Sequence, residues 1–71
     1  MSDHRRRDTG RLVERTRREA GLSQEALARR LGITPGRLAE IENGRAGARG
    51  RTGRALNDWL IESDYEEDEN Q

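Results

Sequence analysis

Seventy-one residues suffice for one small domain, and seven Leu, three Ile, one Val and a single Trp, with no Phe, give it a thin core. The chain has no cysteine, which excludes a disulfide framework and a Cys-based zinc site, and no apolar run approaches the roughly 18 residues of a membrane span. The formal net charge of zero hides a division: residues 1–57 hold all 14 arginines and seven acids, giving +7, while residues 58–71 hold the other seven acids and no base, giving −7.

Taken in chain order, residues 1–8, MSDHRRRD, read as a flexible basic arm. Its Arg-rich start lacks the apolar segment of a secretory signal, so the cytoplasm is the expected location. The one histidine, His4, falls in this polar run and reads as a solvated residue rather than a ligand. A first helix is expected from about Thr9 to Ala20, with Asp8 as N-cap and with Leu12, Val13, Thr16 and Ala20 on one face. Gly21 ends it. Leu22 anchors the entry to a second helix, which Ser23 caps and which runs to about Leu31, burying Ala26, Leu27 and Leu31. Ile33 packs in the turn, Thr34 caps a third helix, and Pro35 fits its first position, where no backbone N–H is needed. That helix ends near Asn43–Gly44. Residues 44–53, GRAGARGRTG, read as a mobile loop before a fourth helix from about Thr52 to Ile61. Residues 63–71, SDYEEDENQ, have too little apolar content to fold and read as a disordered acidic tail. The domain proper is therefore expected at 9–62.

The segment 24–44 carries most of the information. Ala28 lies where two crossing helices nearly touch, so a small side chain is needed. Gly32 follows the last apolar residue of the second helix, where the chain wants the left-handed conformation. Leu38 and Ile41 are three apart and share one face, which leaves the other face of the third helix free. With Gln24, these positions and the runs GLSQEALARRLGIT and GRLAEIENG resemble the lambda-repressor/Cro-like (xenobiotic-response-element type) helix-turn-helix family over roughly residues 9–45. The resemblance implies a small all-α, four-helix, lambda-repressor-like domain whose third helix, 35–43, enters a DNA major groove. Relatives usually have a fourth and a fifth helix after this unit; here there is room for one.

The resemblance also assigns candidate residues. Arg37 and Glu40 project from one side of the recognition helix and could read guanine and a cytosine amino group, or simply pair with each other. Pro35 and Gly36 occupy base-reading positions but offer almost no side chain; Gly36 could let the backbone approach DNA closely, shifting weight to DNA shape. Gln24 takes the position that bonds a phosphate and braces the recognition helix, with Ser23 and Thr34 as further phosphate contacts. Glu42 takes a structural acid's place. Asn43, Gly44 and Arg45 stand where relatives bind phosphate; Arg49, Arg51 and Arg54 extend that stretch or remain solvated charges. Arg5, Arg6 and Arg7 resemble arms that reach around DNA or into a minor groove, or form a solubilising tail. Leu56, Trp59, Leu60 and Ile61 exceed what one side of a short helix needs, so they divide between the core and a two-fold dimer patch.

Double-stranded DNA is thus the expected partner, bound by a homodimer without a cofactor or metal. The function expected is a small sequence-specific repressor of the Cro type, of phage or bacterial kind. The alternatives are an antitoxin, or an interaction module that uses the helix-turn-helix as a scaffold. The acidic tail could be solubility composition, a competitor for the basic surface, or a contact for a protein partner. Without paired acids at ligand spacing, and with one tail histidine, no catalytic constellation is legible.

Overall fold

The computed structural model describes residues 2–63, with side chains from Arg5 onward; residues 64–71, and with them most of the expected acidic tail, lie outside the described residues. Four helices follow in order: α1 (Ser2–Glu19), α2 (Gln24–Leu31), α3 (Pro35–Glu42) and α4 (Gly50–Glu62). No strand occurs among the described residues. Helix α3 packs against both α1 and α2, and α4 packs on α2.

Each expected cap of the helix-turn-helix is in place. The Ser23 hydroxyl accepts from the Ala26 N–H at 3.0 Å, and the Thr34 hydroxyl accepts from the Arg37 N–H at 3.1 Å. Such caps satisfy donors that a helix start otherwise leaves unpaired. At the other ends the chain turns through left-handed glycines, Gly32 (φ 77°) and Gly44 (φ 79°). The next amide reaches back across each helix end: Ile33 N–H to the Ala28 carbonyl at 3.0 Å, and Arg45 N–H to the Glu40 carbonyl at 2.8 Å. This is the Schellman arrangement, and α1 ends the same way with Leu22 N–H on the Arg17 carbonyl at 3.0 Å.

The core joins Val13 of α1, Leu27, Ala28 and Leu31 of α2, Leu38 and Ile41 of α3, and Leu56, Trp59 and Leu60 of α4. Ala28 is fully buried, as a close helix crossing demands. Leu12, Leu22 and Ile33 pack against this core from its edge. Ala20, expected on the buried face of α1, is exposed, because the helix has already ended at Glu19 and its period no longer applies. Ala26 is only half-buried.

Two boundaries differ from expectation. Helix α1 starts at Ser2 instead of Thr9, so Arg5, Arg6 and Arg7 stand within its first two turns. The cause is tertiary. Gly10 is buried against the end of α3, where a β-carbon would stand 2.6 Å from the Glu42 carbonyl oxygen and closer still to that of Ile41. One turn earlier, the Arg7 backbone lies against Gly44; a β-carbon on Gly44 would meet the Arg7 Cα at 3.1 Å. The first half of α1 is thereby laid along the α3–α4 connection. Helix α4 starts at Gly50, two residues early, which shortens the expected loop, and no side chain caps it.

Candidate nucleic-acid interface

Helix α3 buries Leu38, Ile41 and Glu42 and exposes Pro35, Gly36, Arg37 and Glu40, with its C-cap Asn43 exposed just beyond. All four expected base-contacting positions, Pro35, Gly36, Arg37 and Glu40, therefore share the solvent face. Arg37 Nη1 and Glu40 Oε1 are 3.9 Å apart, with about half of each side chain exposed. A pair this loose and wet holds its partners weakly and leaves both free to turn to another ligand.

What fixes this face lies beneath it. The Glu42 carboxylate, with its side chain 3% exposed, accepts from Arg17 Nε at 2.7 Å, from Arg17 Nη2 at 3.3 Å and from Gln24 Nε2 at 2.8 Å. Arg17 also donates through Nη1 to the Leu22 carbonyl at 2.9 Å. The hydrogen bond to Glu42 raises the Arg17 guanidinium above its ordinary range, against the opposing pull of burial. One cluster thus ties the end of α3 to the end of α1 and the start of α2. The bracing expected of Gln24 runs through Glu42. Arg17 escaped the sequence reading, although its place four residues after the buried Val13 sets it on the inner face of α1, where a charge needs a partner.

The expected phosphate contacts lie around α3. Ser23, Thr34, Asn43, Arg45, Arg49 and Arg51 are exposed, and Gln24 is half-buried. The Ser23 and Thr34 hydroxyls accept from backbone amides, so each keeps its own O–H to donate to a phosphate. Two clefts stand at opposite ends of α3. One, of about 620 Å³, is lined by Ser23, Gln24 and Pro35 among others. The other, of about 460 Å³, is lined by Arg5, Arg6 and Arg49 above Ile41, Ala46 and Ala48. Of the set expected to divide between the core and a dimer patch, Leu56, Trp59 and Leu60 close the core, and Ile61 is 62% exposed.

A helix-turn-helix family model matches residues 13–57, well over half of the chain. The chain belongs to the lambda-repressor/Cro-like helix-turn-helix family. No curated protein and no solved structure matches it. As a helix-turn-helix protein it is a DNA-binding regulator, of a family that is not enzymatic. No helix among the described residues is long and apolar enough to cross a membrane. The matched span starts at Val13, so it covers the helix-turn-helix and the Arg17–Glu42–Gln24 cluster but leaves out Arg5, Arg6 and Arg7.

Proposed function

We propose that this helix-turn-helix protein is a sequence-specific transcriptional repressor of the Cro type, acting by occupying an operator as a homodimer. The observation that carries this reading is the exposed face of α3, capped at its start by Thr34 and locked at its end by Glu42. A rigid helix with a free polar face is what major-groove reading requires. Arg37 donates to guanine and Glu40 accepts from cytosine, while Gly36 lets the backbone come close. Asn43, Arg45 and Arg51 on one side, and Ser23 and Gln24 on the other, hold phosphates. Ile61, the exposed large apolar residue of α4, belongs to the two-fold contact.

The test is a selection of duplexes from a random DNA pool at about 150 mM salt, where non-specific binding is already weakened. The expected result is an enriched inverted repeat with half-sites about 10–10.5 bp apart, or a multiple of it. Absence of any enriched sequence would refute sequence-specific regulation and bring forward an antitoxin or interaction module.

A further inference from the structure

Arg5 and Arg6 of α1 and Arg49 at the start of α4 converge on the 460 Å³ cleft beyond the end of α3, whose floor is Ile41, Ala46 and Ala48. No acid lines this cleft, and among the described residues none of the three arginines is in an ion pair. Arg6 is held there by shape: Gly47 lies so close that a β-carbon would stand 3.3 Å from Arg6 Nε. Among the described residues, these arginines bring positive charge to a cleft with no acid in its lining, which favours an anion there. Guanidinium is the cation best matched to a phosphodiester, through paired N–H donors.

We propose that this cleft is a second clamp for the DNA backbone, in which the first half of α1 holds a phosphodiester outside the bases that α3 reads. The proposal rests on the DNA-binding reading above and extends it to residues that the family match does not cover. Geometry supports it. Helix α3, like any α-helix about 10–12 Å across with its side chains, fits the roughly 12 Å width of a major groove. The cleft at Ser23 and Gln24 stands at its start, and the cleft at Arg5, Arg6 and Arg49 at its end. The two backbone strands flank a helix set into the groove, and under this proposal the cleft beyond the end of α3 faces one of them. The clamp also replaces the minor-groove arm. Arg5 and Arg6 sit on a helix whose Gly10 packs against the end of α3 and whose Arg7 backbone lies against Gly44, so under this proposal they do not reach around the duplex as a loose arm would.

A backbone clamp and a minor-groove arm leave different signatures. The full chain, an Arg5→Gln/Arg6→Gln variant, an Arg49→Gln variant and an Arg29→Gln control on the exposed end of α2 are titrated against the selected duplex and a scrambled duplex over a range of salt. The clamp predicts that both cleft variants lose about 5- to 30-fold on the two duplexes alike, and that the slope of log K against log salt falls by about 1 to 2, as when one or two phosphate contacts disappear. The control keeps the wild-type slope. Ethylation of phosphates next to the end of α3 should interfere less with the double variant than with the wild type, because Arg45 and Arg49 still hold phosphates there. An unchanged slope in both cleft variants, while Arg37→Ala still weakens the selected duplex, would overturn the clamp and leave the DNA-binding reading intact. A loss confined to duplexes with A·T-rich flanks would also overturn it, in favour of a minor-groove arm. Failure of the wild type to bind any duplex would sink both readings together.

Discussion

Replacing Glu42 with glutamine keeps its size and removes its charge, leaving the Arg17 guanidinium facing a neutral amide in a site where Arg17 is 11% exposed and Glu42 3%. Removing one partner of a buried pair costs about 3–5 kcal/mol, because the surviving charge loses its compensation without regaining water. The fraction of Arg17 that stays wet, and its remaining bond to the Leu22 carbonyl, lower this to about 2–4 kcal/mol. A domain of about 60 residues holds roughly 3–9 kcal/mol in total. The substitution therefore removes a large share of the stability. At about 4–8 °C per kcal/mol for a domain this small, the melting temperature should fall by at least 8 °C. Thermal unfolding followed by far-ultraviolet circular dichroism reads the change directly. Pairing Glu42→Leu with Arg17→Met removes both charges at once and should recover most of the loss, since apolar replacements of a buried pair are often neutral. A Glu42→Gln cost below about 0.5 kcal/mol, the range of an exposed pair, would refute the reasoning.

Two glycines inside helices should respond oppositely to alanine. Gly10→Ala puts a β-carbon against the Ile41 and Glu42 carbonyls, so the protein should lose about 2 kcal/mol or more despite the better helix former. Gly36 has open space around it, so Gly36→Ala should gain up to about 1 kcal/mol; a loss of DNA affinity in that stabilised variant would locate the close approach of backbone to DNA. Thr34→Ala, which removes the cap on the Arg37 amide, should cost about 1 kcal/mol in denaturant unfolding. Arg37→Ala should cost roughly 1–3 kcal/mol on the selected operator and relax preference at one base position; equal weakening on all sequences would remove Arg37 as a base reader.

The helix-turn-helix was legible because each of its signals is local. Ser23, Thr34 and Pro35 act on the turn that follows them, Gly32 and Gly44 on the turn they end, and Leu38 with Ile41 on a period of 3.6. The start of α1 was not legible, because Gly10 weakens a helix by its own propensity and earns its place only through the α3 backbone lying against it. Asp8 offered a plausible cap, but it is an exposed residue within the helix. The Arg17–Glu42 pair was half legible. Its two members are 25 residues apart, and a single sequence gives no way to match one of 14 arginines to one acid. The same limit hid the convergence of Arg5 and Arg6 with Arg49, which the first half of α1 and the start of α4 bring to one cleft.

The placement of the polar cluster follows from how little apolar material α3 carries. Leu38 and Ile41, one turn apart, are its two core residues. They fix a line along the helix. Rotation about that line changes their buried area slowly, because hydrophobic contact has no preferred direction. For the base reading proposed above, the exposed face needs a tighter setting, since hydrogen bonds to a base edge weaken steeply with misalignment. Glu42 supplies it: three donors from two other helices meet one carboxylate, and a rotation of α3 would strain all of them together. An apolar pair at positions 17 and 42 would therefore keep the fold and loosen the reading. The double replacement of Arg17 and Glu42 should restore stability while leaving operator affinity below that of the wild type.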